Sequence, residues 1–504
     1  MSNPFDHLTG ADRLRSPGYL LLIFSLLMLA GFVFGKIGLI PGFGLIILPF
    51  VSAYLYLIFK YPVTGVYTAV FLGFTILGLS RYIDFQVGLL MDGILFFTFI
   101  ALIFNRFYDK VNWKLVNKDI TILSIIWFGY SILELFNPEL RSVAAWLNGV
   151  RGISMYMLLL VVLTLLLIDT NRKLEYFFLL WGLLSLLVSF RGIMQKVWGV
   201  DSYEQAWLDG GAAITHVLFG KLRIFSFLSD AGQFGANQAY SAVVMGILAM
   251  VEKDFLKKLF YIFVAILGIY GMLLSGTRGA ISIPLAGFGT FFILKKNKAV
   301  MFSGFVLLII FYVFFKYTTI AQGNEQIRRM RTAFDPNDAS FQVRLENQRT
   351  LSTYLATRPF GGGIGHAGVK AKKYIPNGFL SQIATDSWYV MIWAEQGVVG
   401  LLLHLFILFY VVIKGGVNIM YRIRDPILKM KMSALLSGMA GVMVASYGNA
   451  VLGTVPTAVT IYMTMALVLN TEIFDTPTEE PEKAKNSDFN NNPKPLLQSL
   501  TPNQ

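Results

Sequence analysis

Apolar runs follow one another along most of this chain, each about 18–22 residues long, the length a helix needs to cross ~30 Å of hydrocarbon. Fourteen such runs begin near Gly18, Leu39, Val63, Gly88, Ile120, Ile153, Leu174, Gly235, Lys258, Arg278, Val300, Tyr389, Met432 and Val455. A backbone in lipid must satisfy its own hydrogen bonds, so each run is expected to be helical. Pro41 and Pro49 predict an irregular course for Leu39–Phe59. The pattern predicts an all-α polytopic membrane protein of about 12–14 transmembrane helices.

One long polar interruption breaks this rhythm, residues 317–389. It carries Arg328, Arg329, Arg331, Arg344, Arg349 and Arg358, then the glycine-dense stretch Gly361–Gly365 followed by His366. The chain thus divides into helices 1–11 over residues 1–316, with a smaller polar loop at 196–234; a large helical loop at 317–389; C-terminal helices at 390–474; and a tail at 475–504. That tail is rich in Pro, Glu, Lys and Asn and is expected to be disordered. Phe341–Arg358 predicts an amphipathic helix on the surface, with Leu345, Leu351, Tyr354 and Leu355 on one face and an Arg344–Glu346 pair on the other.

Composition supports the membrane reading: 55% of the 504 residues are hydrophobic and only 14% charged, against roughly 25% charged in soluble domains. Arg13 and Arg15 precede a first run long enough to span, with no small-residue cleavage site after it, so no cleavable signal peptide is expected. The chain has no cysteine, which excludes disulfides, thiolate metal sites and a cysteine nucleophile. Its net charge of +13 reads as retention of cytoplasmic loops, with no nucleic-acid partner. With a cytoplasmic N-terminus, the clusters Arg13/Arg15, Arg106/Lys110/Lys114/Lys118, Arg172/Lys173, Lys253/Lys257/Lys258, Lys295/Lys296/Lys298 and Lys414–Lys431 all fall on the cytoplasmic side. The 317–389 loop, the 196–234 loop and the Asn137–Gly152 turn then face outward.

Arginines on that outward face gain nothing from positive-inside retention. Arg151, Arg191, Arg223 and Arg278 fall at helix ends or in the 196–234 loop. Ionisable groups at such depth face a polar cavity or snorkel to headgroups. Gathered together, guanidinium forks suit phosphate oxygens, which points to a lipid diphosphate whose tail lies among apolar helices. Arg344 serves either that ligand or a solvated helix face. Asp386, between Thr385 and Ser387, suits a general base toward a hydroxyl and equally a helix N-cap. His216 and His366 are the histidines on this face, each a candidate base or an ordinary polar contact; no cluster of acidic ligands makes either a metal site.

Three stretches in order resemble the O-antigen ligase and Wzy-type polymerase superfamily of bacterial envelope glycan enzymes: SGTRGAISIPLAG at Ser275–Gly287, VRLENQR through RPFGGGIG at Val343–Gly365, and SWYVMIWAEQGVVGLLL at Ser387–Leu403. The Lys221–Ser226 loop with Gln233 and Asn237 adds to the likeness, which covers roughly Arg151 to Leu403. The resemblance implies a GT-C-like, metal-independent glycosyltransferase of the bacterial inner membrane, needing no cofactor. Its donor would be an undecaprenyl-diphosphate-linked glycan. Its acceptor would be a growing glycan or lipid A core, and membrane lipids would surround it. By motif position the diphosphate-binding arginines are Arg223, Arg278 and Arg344, followed by Arg151 and Arg191. Many ligases of the family carry His-Asn where this chain has Asp386-Ser387, so the acceptor-activating role passes to Asp386 or to His366. That departure tilts the reading toward a polymerase. A non-enzymatic lipid-linked glycan transporter or flippase is the alternative, although no internal repeat of the kind transporters show is evident.

Overall fold

The computed structural model describes residues 17–37, 39–83, 88–106, 111–218, 220–323, 325–332 and 337–475; His7, Arg13, Arg15, Lys110 and the tail beyond 475 lie outside them. The described residues form an all-α polytopic membrane protein whose fourteen apolar helices correspond to the fourteen apolar runs. These are α1 (Pro17–Ile37), α2 (Leu39–Lys60), α3 (Val63–Leu79), α4 (Gly88–Arg106), α5 (Asp119–Leu133), α6 (Val143–Leu167), α7 (Asn171–Trp198), α8 (Ala231–Ala249), α9 (Phe255–Ser275), α10 (Ser282–Leu294) and α11 (Lys298–Tyr317), then, after the polar helix α12 (Ala339–Leu355), α13 (Trp388–Val417), α14 (Pro426–Ala445) and α15 (Thr457–Leu469). By length and hydropathy alone, seven stretches qualify as spans, those built on α4, α5, α6, α7, α9, α13 and α14. The expected irregularity at Pro41 and Pro49 does not occur. Pro41 falls in the first turn of α2, where its missing N–H has no partner to lose, and Pro49 is absorbed inside the helix.

The bundle is turned toward lipid at its rim and toward itself at its centre. Phe50, Phe255, Phe302 and Phe406 project outward, whereas α8 and α15 are enclosed on nearly every side. Enclosure explains why α8 tolerates Gln233, Asn237, Gln238 and Ser241 in an apolar setting. Gln238 accepts from the Ser185 and Ser189 hydroxyls at 3.0 Å each, and Ser241 accepts from the Trp181 indole at 2.9 Å. Such groups glue helices together where lipid offers no alternative partner.

The two polar loops share one end of the bundle. In the smaller, Val217–Leu218 pairs antiparallel with Lys221–Leu222, and a short helix, Ser202–Trp207, precedes it. In the larger, α12 is capped by Asp338, which accepts from the Phe341 N–H. It is seated by Leu351 and Leu355 against Ala367, Leu380 and Ala394. The expected Arg344–Glu346 pair is not formed: Glu346 pairs with Arg349 at 3.6 Å, one turn along, and Arg344 reaches Asp386 instead. The glycine-dense stretch lies flat on α13. Gly362 and Gly363 donate to the carbonyls of Ala394 and Glu395 at 2.9 Å, and Gly361, Gly363 and Gly365 take φ of +77°, +93° and +78°. A Cβ at Gly397 would stand 2.0 Å from the Pro359 carbonyl oxygen, so only glycine permits this approach.

Candidate functional site

The Ser-Gly-Thr-Arg-Gly stretch at the top of α9 builds the centre of the site. Ser275 Oγ accepts from the Thr277 N–H at 3.0 Å, and Gly276 ends the helix at φ +58°. Thr277 Oγ1 ties back to the Ala231 carbonyl at 2.8 Å. Arg278 is thereby turned outward, pairing with Asp338 and donating to Thr332 Oγ1 at 3.2 Å. At Gly279 a Cβ would lie 2.3 Å from Asn449 Nδ2, which is why a side chain is missing there.

Arg344 approaches the same spot from α12. A side chain at Gly448 would stand 3.9 Å from Arg344 Nη1 and 4.0 Å from the Gly279 Cα. Arg344 Nε lies 3.2 Å from Asp386 Oδ2. Asp386 is not the N-cap of α13, because Ser387 takes that role by accepting from Val390 N. Its carboxylate is 53% exposed at the mouth of the site. Arg223 completes the group from the smaller loop. Its Nη2 donates to Thr277 Oγ1 at 3.4 Å, while its Nε is buried without a partner. Burial first, then repulsion from Arg329 and Arg278, lowers its guanidinium to about 10 against a partial offset from Asp230. A site that lowers an arginine in this way is short of negative charge.

Beneath these cations runs a groove of about 480 Å³. Arg278, Thr332, Asp338, Arg344 and Gln348 give its polar lining; Ile281, just before α10, Leu285 on α10, and Val444 and Ala445 on α14 give its apolar lining. Val444 and Tyr447 open toward the lipid-facing surface. The groove therefore offers cations for an anionic head and an apolar channel for a chain.

Two expected arginines are not brought here. Arg151 pairs with Asp92 at 2.9 Å and with Asn148 at 2.6 Å. Arg191 pairs with Asp201 at 2.6 Å and Glu204 at 2.8 Å. Neither lines the groove that Arg278 and Arg344 share. His366 is not brought either. Its Nε2 accepts from the Arg141 N–H at 2.9 Å, which leaves Nδ1 protonated and donating to the Ile364 carbonyl at 2.9 Å; no lone pair remains for a hydroxyl proton. The depression it lines, beside Glu139 and Phe379, holds only about 20 Å³. His216 is buried against Trp207 and Phe225, with Nδ1 near the Ala212 carbonyl at 2.8 Å and Nε2 near the Ser229 carbonyl at 3.3 Å.

Sequence reasoning missed Arg329, whose Cδ packs 3.4 Å from a Cβ position at Gly276, and Asp338 and Asn449. Arg329 was visible as part of an arginine run, but nothing local distinguishes it from Arg328. Asn449 lies far along the chain from Gly279, which it meets.

No curated protein matches the chain at a significant level. Residues 263–405, which hold Arg278, Arg329, Arg344 and Asp386, match the family model described as O-antigen ligase, and this segment belongs to the O-antigen ligase and polymerase superfamily.

Proposed function

We propose that the protein is a GT-C-type glycosyltransferase of the bacterial inner membrane. It transfers or polymerises a glycan from an undecaprenyl-diphosphate donor onto an acceptor hydroxyl at the periplasmic face. The single observation that carries this reading is that Arg278 and Arg344 line one groove together with apolar side chains, with Arg223 beside them on Thr277. Asp338 meets Arg278 through one carboxylate oxygen, a place that a phosphate oxygen could take. The positive-inside distribution of lysine and arginine supports cytoplasmic termini and a periplasmic 317–389 loop.

In the reaction the acceptor oxygen attacks the anomeric carbon, and the bond from that carbon to the diphosphate breaks. The electron pair leaves with the diphosphate, where the arginines neutralise it; preorganised charge of this kind lowers the barrier more than any other single device. The acceptor proton passes to Asp386, whose carboxylate is open to an incoming hydroxyl at 53% exposure and is oriented by Arg344. A glycan chain or lipid A core then carries the new bond.

The test is incubation of the purified protein with undecaprenyl-diphosphate oligosaccharide, with and without lipid A core. Longer undecaprenyl-linked chains identify a polymerase, and glycosylated core a ligase. Arg278→Ala should cut turnover by roughly a hundredfold or more while leaving thermal unfolding near that of the wild type. Near-normal transfer by Arg278→Ala would end this assignment of the leaving-group site.

A further inference from the structure

Away from the groove lies a second concentration of charge that the reaction above does not use. Arg81 follows α3, and its guanidinium is 2% exposed. It lies against the rings of Trp207 at 4.5 Å and Phe225 at 4.4 Å, which meet each other edge-on. It donates to the Ser226 carbonyl at 2.7 Å and to the Leu228 carbonyl, and lies 3.5 Å from the fully buried Glu204. Gln195 joins the same group from α7. Its Nε2 donates to both Glu204 oxygens at 3.0 Å, and its Oε1 accepts from Phe225 N at 3.3 Å and Ser226 N at 2.8 Å. Arg191 closes the network on Glu204 and Asp201, so two cations face two carboxylates.

Arg81 and Gln195 both reach residues 225–228 from this network. Ser226 holds φ +53°, a left-handed conformation that a non-glycine residue keeps only when its surroundings over-determine it. Its hydroxyl is fixed as well, donating to the Val188 carbonyl at 2.6 Å. Arg223 is three residues upstream, anchored on the other side by its own N–H on the His216 carbonyl at 2.8 Å. Its side chain, by contrast, has only two long contacts, 3.4 Å to Thr277 and 3.5 Å to the Thr215 carbonyl. The guanidinium therefore depends on its backbone for its aim. A network this costly to bury, spent on one short strained turn, calls for a reason beyond packing.

We infer that Arg81, with Gln195 and Glu204, is a positioning residue: it fixes the strained turn at 225–228 so that Arg223 presents its guanidinium to the anionic head of the lipid-linked donor. This rests on the functional reading above. Arg81 itself touches no ligand.

The experiment measures equilibrium binding of inorganic pyrophosphate to the detergent-purified full chain by titration calorimetry. Arg223→Ala should weaken binding about tenfold, the loss of one charge-assisted contact. Arg81→Lys keeps the charge but cannot span two carbonyls and lie against two rings; it should weaken binding by a similar factor. In the Arg223→Ala background, Arg81→Lys should add nothing, while in an Arg344→Ala background its effect should persist in full. A general loss of stability would weaken binding in every background. Full additivity on Arg223→Ala, or wild-type affinity in Arg81→Lys, overturns the inference. If Arg81→Lys does not fold, Gln195→Met is read in its place with the same outcomes.

Failure of the wild type to bind pyrophosphate would strike the functional reading instead. The positioning claim is then decided by hydrogen exchange: the Phe225 and Ser226 amides should exchange at least about tenfold faster in Arg81→Lys, the rate ratio for ~1.4 kcal/mol of lost local stability. Unchanged exchange overturns it.

Discussion

At the scale of single residues, the structure separates histidines that look alike in sequence from carboxylates and arginines that act. His366 is held as a neutral ring, accepting from one backbone N–H and donating to one carbonyl. Protonation would set an N–H against the Arg141 N–H. Burial, partly offset by the bond to Ile364, lowers its affinity for a proton below the ordinary 6.5. The sign follows: below pH 6.5 the unfolded chain binds this proton and the folded chain resists it, so stability is complete above 6.5 and falls as the solution is acidified. The loss is at most about 1.4 kcal/mol per pH unit. Thermal unfolding followed from pH 7 to pH 5 should show this slope in the wild type and a shallower one in His366→Asn; equal slopes would mean the ring is not held neutral. Glu139 has the same sign in a lower window: its bond to Arg358 holds the carboxylate below its usual range, so its contribution is complete above the ordinary carboxylate range and is lost only at more acidic pH.

At the scale of elements, α12 works as an arm that carries both a cation and that cation's neighbouring competitor. Asp338 caps the helix through one carboxylate oxygen and pairs with Arg278 through the other. Six residues later, Arg344 reaches the same groove. The diphosphate of the proposed donor would have to take Arg278 from Asp338. Asp338→Asn preserves the cap, because asparagine caps as well as aspartate, but it removes the charge that competes. Pyrophosphate should then bind about fivefold more tightly, roughly the 1 kcal/mol of a partly exposed ion pair. Unchanged or weaker binding would show that Asp338 is not standing in the ligand's place. The elements themselves were largely legible. The apolar runs became helices, and the amphipathic face with Leu351 and Leu355 became the seat of α12. The pairing partners were not legible. Matching Arg344 to Glu346, two residues on, uses a spacing that points side chains apart on a helix; its partner, Asp386, comes from 42 residues away. Arg151 looked available because Asp92 is 59 residues away; Arg191 looked available although Asp201 and Glu204 follow closely, because only the fold turns them back onto it.

At the scale of the whole molecule, hydrophobicity read the fold well because lipid allows so few alternatives. It read α8 least well, since that helix is enclosed by protein and need not be apolar by itself. The arrangement puts the arginine-lined groove and both polar loops at one end of the bundle, and the proposed chemistry requires that end to face away from the cytoplasm. The chain has no cysteine, so single cysteines report sidedness without background. Val369 is well exposed in the large loop, and Lys253 is exposed in the connection between α8 and α9. In intact spheroplasts, Val369→Cys should react with a membrane-impermeant maleimide. Lys253→Cys should react only after the membrane is opened. The reverse pattern would put the arginines with the cytoplasm, where no glycan presented at the periplasmic face could reach them. Labelling of both without permeabilisation would place the two loops on the same side, contradicting an odd number of crossings between them. Either result would remove the proposed transfer reaction, whatever the arginines bind.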